Sequence, residues 1–199
     1  MGSAIEVGRL LRASSREFVA GCRVSQLNAP AFGALVSVPL RADEQLYGLI
    51  YDIQIADDGL VRQLVTSENV SDEVIRDNRE RRIVPVEMSV LAVGYAQNGQ
   101  IRYLLPPRPP LSLDAIYLCD PDEVRRFTSG NLGYFRHILR AHDTLPVGEL
   151  LASHLHQAAG TQADPQAWLQ RAVQEIITLL RDDYATLMEV LSALREVIA

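Results

Sequence analysis

The sequence contains no lysine, since all 19 basic residues among its 199 are arginine. This absence excludes several kinds of active site. A Walker-type phosphate-binding loop needs a Lys at the β- and γ-phosphates, a Schiff-base enzyme needs a Lys amine, and a protein kinase holds its nucleotide with a strand Lys. We therefore expect none of these three kinds of site, and neither binding nor hydrolysis of ATP through a phosphate-binding loop. Genomic base composition is the simplest explanation of the arginine bias.

Cysteine is scarce, with Cys22 and Cys119 as the two thiols. Their separation has no metal-ligand spacing, and we expect both to be buried and to behave as small apolar side chains. No apolar run approaches the roughly 20 residues that cross a bilayer. The first residues, MGSAIEVGRLL, lack the features of a secretion signal. The sequence therefore predicts a cytoplasmic protein with no membrane span.

The net charge is -6 and the isoelectric point is near 5.2. Broad attraction to phosphate backbones needs dense basic residues, so the overall charge argues against a non-specific nucleic-acid binder, although it does not exclude a local basic patch. Apolar residues make up 48% of the chain. This composition suits a folded protein with one domain and an appendage, or with two small domains.

Two alternating apolar segments lie between Phe32 and Ala56, on either side of a polar turn at residues 41–45. In the second segment, period-two alternation separates two faces. One face carries Leu49, Tyr51, Ile53 and Ile55, and the other carries Gly48, Ile50, Asp52 and Gln54. A strand with one apolar face and one partly polar face is typical of a curled antiparallel sheet. The pattern predicts a central hairpin of a small β-barrel.

Further strands are predicted on both sides of this hairpin. Ile5 to Ala13 and Glu17 to Val24 form a first hairpin, and a long alternating segment starts at Val84. An Asn-Gly turn leads from it into the next strand. The last strand, Ala115 to Cys119, follows a connection with four prolines, which we expect at a sheet edge or over a barrel mouth because proline cannot donate to a ladder.

An amphipathic helix is predicted near residues 68–82, where Ser71 caps a segment with Val74 and Ile75. Its end is rich in arginine: Arg76, Arg79, Arg81 and Arg82. As a functional site, this cluster would dock an acidic protein or a nucleic acid. As ordinary structure, it is a solvated helix end whose basic residues suit the helix dipole. We favour the second interpretation and keep the cluster as a candidate partner-binding site.

From residue 128 onward the pattern is helical. Two short helices with apolar faces precede a final helix that starts at Asp164 and Pro165 and carries an apolar stripe toward residue 198. The preceding helices are too short to cover the stripe, which predicts an interface with another chain. The candidate partner-binding residues are Leu187, Leu191 and Leu194. Alternatively, the polar residues 181–183 split the helix, and the stripe is hidden within one chain.

No constellation of residues predicts catalysis or metal binding. His154 and His156 are two apart on a predicted helix, so they point to different faces and do not converge on a metal. The sequence has no Gly-x-Ser-x-Gly motif, no Cys-His arrangement at a helix start and no glycine-rich dinucleotide fingerprint. We expect no catalytic residues, no cofactor and no metal.

The series of segments from Ile5 to Val124 resembles the HAS barrel, the small β-barrel at the N-terminus of HerA-type hexameric DNA translocases and of rotary ATP synthase subunits. The matching stretches are VGRLLRASSREFVAGC, GALVSVPLRADEQLYGLIYDI, VPVEMSVLAVGY and RYLLPPRPPLSLDAIYLCDPDEV. We therefore expect an α+β protein with a small antiparallel HAS-like β-barrel over residues 1–127, interrupted by the helical excursion, and a C-terminal helical region over residues 128–199.

The resemblance continues through NLGYF and LLASHLHQAAGT and then ends. Where HerA-type proteins have Gly-Lys-Ser or Gly-Lys-Thr, this chain has Gly160, Thr161 and Gln162 and turns into a helix. The resemblance thus implies a barrel without its motor. In the family the barrel serves ring assembly and contact with partner proteins.

These expectations give three hypotheses about function. The first is a non-catalytic adaptor or assembly module that self-associates or docks on a larger assembly, such as a HerA-type, ATP-driven machine. The second is a nucleic-acid-associated factor that uses the cluster between Arg76 and Arg82. The third is an enzyme whose residues are too scattered along the sequence to recognise. We favour the first.

Overall fold

A computed structural model describes residues 5–24, 30–41, 43–55, 66, 70–74, 76 and 84–198. It confirms the α+β fold, with a β-barrel in the N-terminal part and helices mostly in the C-terminal part. The strands are β1 (Ile5–Ala13), β2 (Glu17–Val24), β3 (Leu35–Arg41), β4 (Glu44–Ile55), β5 (Val84–Gln97), β6 (Gln100–Arg102) and β7 (Ala115–Leu118). The helices are α1 (Pro121–Thr128), α2 (Phe135–Leu139), α3 (Val147–Ala159), α4 (Pro165–Leu179) and α5 (Tyr184–Ile198).

Six antiparallel strands close the barrel. The order is β2-β1-β7-β3-β4-β5, and β5 pairs back onto β2 to complete the ring. The short strand β6 pairs with the end of β5 outside this ring. The predicted Asn-Gly turn connects them, with φ of 52° at Asn98 and 76° at Gly99. Closure gives each of the six strands a hydrogen-bonded neighbour on both sides, which protects its backbone from pairing with other chains.

The central strand β4 is buried on both faces. Leu46 and Ile50 point into the barrel, where they pack in a cluster that includes Phe18. Tyr47 and Leu49 point outward and are also fully buried, because helices cover this side of the barrel. The barrel interior is thus filled by side chains, and the outer wall forms a second core with the helical region.

A β-bulge changes the faces of β4. The register with β5 shifts between Ile50 and Asp52, so the alternation reverses there. Ile53 consequently packs against the interior cluster, whereas Leu49 and Tyr51 face the helices. The sequence predicted strict period-two alternation, with Leu49 and Ile53 on the same face. That prediction is wrong for Ile53, because the bulge reverses the alternation after Ile50.

The segment for which the sequence favoured one final helix forms two helices in the structure. Helix α4 ends at Leu179 and α5 begins at Tyr184, so the polar residues 181–183 interrupt the helix. Helix α5 packs closely against α3, and a Cβ added at Gly148 would lie 3.1 Å from the Cβ of Ala193. Because α5 folds back onto the protein, much of its apolar stripe lies in the same core as the outer wall of the barrel.

The predicted helical excursion is described only in part. Residues 72–74 and 76 are helical, and the Ser71 Oγ accepts a hydrogen bond of 3.4 Å from the Val74 backbone N–H, as a helix cap does. The rest of the segment 68–82 lies outside the described residues. Among the helices of the described ranges, none is long and apolar enough to cross a membrane.

Candidate interaction surface

The proline-rich strap, residues 103–114 between β6 and β7, is held at both ends. At one end the Tyr103 carbonyl accepts hydrogen bonds from the Arg136 guanidinium and from His137 Nε2. At the other end the Leu10 N–H, in β1, donates to the Asp114 carbonyl over 3.0 Å. These contacts fix the strap against the folded body, and its prolines further restrict its backbone.

The strap presents leucines to solvent. Leu104, Leu105, Leu111 and Leu113 are 52%, 39%, 72% and 69% exposed. By contrast, the strap buries two of its prolines, Pro106 and Pro110. The sequence predicted an extended connection here, but it did not predict which side chains would point outward.

Leu113 has a strained backbone. Its φ is 71°, in the left-handed region, where a residue with a Cβ pays roughly 1–2 kcal/mol. Two contacts from β1 hold this conformation. The Leu113 N–H donates to the Leu10 carbonyl over 2.8 Å, and the Arg9 guanidinium donates to the Leu113 carbonyl over 3.2 Å. The fold thus maintains a strained turn that exposes an apolar side chain.

Beside Leu113 lies a groove in the outer wall of the barrel, formed by β1, β2 and the start of β5, with a volume of about 570 Å³. We call it the barrel groove, and its central residues are Gly8, Leu11, Gly21, Cys22 and Leu113. A Cβ added at Gly8 would lie 2.6 Å from the Gly21 carbonyl oxygen. Gly8 thus allows the close approach of β2, and a Cβ at Gly21 would lie 3.2 Å from Leu11 Cδ1. The Leu11 side chain, which is 48% exposed, therefore packs over Gly21 and forms part of the apolar wall.

Exposed charges of both signs border the barrel groove. Arg9 pairs with Glu6 over 3.1 Å, and Arg12 pairs with Glu87 over 3.8 Å. All four side chains are more than 40% exposed, so these pairs contribute little to stability. The charges of these four side chains sum to zero.

The predicted partner-binding residues that the structure describes do not line the barrel groove. Arg76 is exposed, and Arg79, Arg81 and Arg82 lie outside the described residues. Leu194 is fully buried, while Leu187 and Leu191 are half-buried against the same core. A partner contact at Leu187 and Leu191 stays a prediction. The apolar side chains that are most exposed in this region are Leu179, Tyr184 and Met188.

A polar pocket of about 420 Å³ lies between α1 and the barrel wall. Its centre is Glu123, whose Oε1 accepts from Gln45 Nε2 over 2.6 Å and from the Tyr47 hydroxyl over 3.2 Å. Arg126 donates to the same hydroxyl over 3.1 Å. Burial, and then the Glu123 carboxylate, raise the pKa of Tyr47. Because these groups satisfy one another, we interpret the pocket as a junction between α1 and the barrel.

The cysteines offer no activated thiol. Cys119 is buried as predicted, and burial raises the pKa of its thiol. Cys22 is half-buried in the wall of the barrel groove, and burial raises its pKa too. A nucleophilic cysteine needs a lowered pKa. In the part of the chain that the structure describes, no three His, Cys, Asp or Glu residues come together as a metal site.

Helix α3 fastens the helical region to the loop before β3. The Ser153 hydroxyl and the Gln157 amide donate to the Phe32 carbonyl over 2.6 Å and 2.9 Å. His154 Nδ1 lies 3.2 Å from the Gly33 carbonyl, to which it donates. The sequence does not predict this contact of His154. Its place among Leu150, Leu151 and Leu155 on an apolar face was the available signal.

Comparison with protein-family models and with curated proteins gives no match to this sequence.

Proposed function

We propose that this chain is a non-catalytic interaction and assembly module, in which a HAS-like barrel carries a protein-binding surface and the helical region braces the opposite wall. The observation that carries the proposal is the exposed Leu113 on a strained turn. A conformation that costs free energy persists only where the surrounding structure enforces it, and such conformations cluster at functional sites.

The packing of the barrel supports a scaffold role. Phe18, Leu46, Ile50 and Met88 fill its interior and are at most 1% exposed. A small barrel filled in this way has no central cavity for a ligand. Recognition therefore takes place on the outer surface, where the strap and the barrel groove lie.

The strap is suited to protein contact because it is rigid before binding. Its ends are hydrogen-bonded and its prolines restrict the backbone, so little conformational entropy is lost when a partner covers the leucines. Exposed apolar patches of this kind mark protein interfaces. By resemblance, the partner is another subunit of an assembly, and a HerA-type, ATP-driven machine is one such assembly. Both cysteines are free thiols, which fits a cytoplasmic location.

The test compares the wild type with a chain that carries Leu111→Asp and Leu113→Asp. Sedimentation velocity measures self-association of each purified chain, and affinity recovery from native extract, with and without ATP, measures binding to other proteins. We expect self-association, or one identified partner, that the double substitution removes. Leu179→Asp is the matched control, since Leu179 is also exposed but belongs to α4.

A monomeric wild type that retains the same proteins as the double variant would contradict the proposal. Turnover of a substrate by the purified chain would favour an enzyme instead. Amine-reactive cross-linkers do not suit this test, because the chain has no lysine side chains.

A further inference from the structure

Leu113 combines two features that are unfavourable for an isolated chain. Its backbone lies in the left-handed region, and 69% of the residue is exposed to water. The hydrogen bond that Leu113 accepts from Arg9 and the one that it donates to Leu10 hold its backbone in place, so the direction of the side chain from the backbone is fixed. Covering it with an apolar surface would recover the free energy of apolar burial.

A receiving site of matching chemistry lies on the same face. The barrel groove is lined by Gly8 and Gly21, which carry no side chain, and by the apolar wall at Leu11, and Leu113 itself stands at its border. A surface that carries both a projecting side chain and a groove is complementary to itself. A twofold rotation would place Leu113 of each copy over the groove of the other, so that both features are covered at once.

The charges at the rim favour a second copy over a highly charged partner. Glu6 and Glu87 balance Arg9 and Arg12. A rim of one sign would repel itself across a twofold axis, whereas a balanced rim lets each guanidinium meet a carboxylate of the other copy. A nucleic acid, or a strongly acidic or basic protein, would find no net opposite charge there.

From these three observations we infer that the barrel groove is a self-association surface, in which two copies of this chain pair about a twofold axis and each inserts Leu113 into the other's groove. This inference rests on the proposed function and deepens it by naming the partner.

The main test is the substitution Leu113→Gly in the full chain. Glycine adopts a φ of 71° without strain, so the turn is kept while the projecting side chain is removed. By sedimentation velocity at micromolar concentration, we expect the wild type to be a dimer and the variant a monomer. At a concentration where both proteins are monomeric, the variant should unfold at the same temperature as the wild type or at a higher one.

Leu104→Ala is the matched control, since Leu104 is exposed on the strap but does not line the barrel groove. This substitution should leave the dimer unchanged.

A second test uses the charges of the rim. Glu87→Arg makes the rim positive and Arg12→Glu makes it negative, so each variant alone should dissociate more readily than the wild type. An equimolar mixture of the two should form a mixed dimer, because opposite rims then face each other. Restored association in the mixture is a result that general destabilisation does not produce.

The outcomes separate this inference from the proposed function. If the wild type self-associates and neither Leu113→Gly nor Glu87→Arg weakens it, the barrel groove is not the interface, although an assembly function stands. If the wild type is a monomer but binds another protein through the strap, the twofold pairing is wrong and the interaction function stands. If it is a monomer with no strap-dependent partner, both proposals fail.

Discussion

The hydroxyl of Tyr134 donates a hydrogen bond of 2.9 Å to Nε2 of His154, and both residues are at most 1% exposed. The other ring nitrogen of His154 donates to the Gly33 carbonyl. One nitrogen therefore accepts and the other donates, which makes the imidazole neutral with its proton on Nδ1. Through these two hydrogen bonds, the His154 side chain on α3 connects the loop before β3 to Tyr134, which directly precedes α2.

Acid should weaken this fold through His154. Burial lowers the pKa of His154 from its ordinary value of 6.5 to about 4, so between these values the unfolded chain binds a proton that the folded chain does not. The free energy of unfolding should fall as the pH is lowered from about 6.5 to about 4, by up to about 3 kcal/mol from this group. His137, whose pKa is also lowered by burial, adds to the effect in the same direction.

Urea unfolding across this range measures the slope of the free energy of unfolding against pH, and His154→Gln should reduce that slope. An equal slope in both proteins would show that His154 does not cause it.

Removing the Tyr134 hydroxyl should leave a buried acceptor without a partner. We expect Tyr134→Phe to lower the free energy of unfolding by about 1–3 kcal/mol, the cost of an unsatisfied buried polar group. Tyr184→Phe is the control, because Tyr184 is 72% exposed. Urea unfolding of the two variants at neutral pH makes the comparison. Equal losses would mean that the Tyr134–His154 contact adds nothing.

Two glycines with similar backbones separate strain from crowding. Gly33 has a φ of 78° and Gly99 a φ of 76°, but a Cβ at Gly33 would lie 2.7 Å from the Ser153 Oγ, while one at Gly99 meets nothing within 4 Å. Gly99→Ala should therefore cost only the conformational term, about 1 kcal/mol. Gly33→Ala should cost about 3 kcal/mol or more, because it also pushes α3 from the barrel. Thermal unfolding of both variants is the measurement, and similar losses would show that α3 moves without penalty.

A charged side chain on either buried face of β4 should destabilise the protein. Leu49 faces the helices and Ile50 faces the barrel interior, and both are fully buried. Leu49→Asp and Ile50→Asp should each destabilise by about 4 kcal/mol or more, or prevent folding, because each buries an unpaired carboxylate. Ile55→Asp, at a position that is 50% exposed on the same strand, should have a small effect. Circular dichroism and chemical unfolding can compare them. A well-folded Leu49→Asp protein would show that the helices do not cover this face.

The sequence predicted the elements of this fold well, because their signals are local. Alternation identified the strands, and the predicted helix start at Asp164 and Pro165 is confirmed, because the Asp164 carboxylate caps α4 by accepting a hydrogen bond from the Ala167 N–H. The bulge in β4 has no comparable signal, because it depends on the register with β5. One extra residue was enough to move Ile53 to the opposite face.

The candidate surface was harder to predict. Positive φ is usually indicated by glycine or asparagine, and Leu113 gives no such signal. Its conformation depends on Arg9 and Leu10, about a hundred residues earlier in the chain. The barrel groove likewise combines residues from β1, β2 and β5. By contrast, the stripe on α5 was visible as a pattern, and the polar residues 181–183 indicated a break as the alternative. The pattern could not decide between a partner chain and internal packing, and the structure breaks the helix after α4 and buries Leu194.

The pairing of β4 with β5 has a consequence for how this protein tolerates change in length. Ile55, at the end of β4, pairs directly with Val86, near the start of β5, so the chain leaves and re-enters the barrel at adjacent positions. Residues 56–83 therefore connect two neighbouring antiparallel strands. Each doubling in the length of a flexible connection costs only about 0.6 kcal/mol of closure entropy. We therefore expect that residues 56–83 can be replaced by another domain without a change in the six-stranded ring.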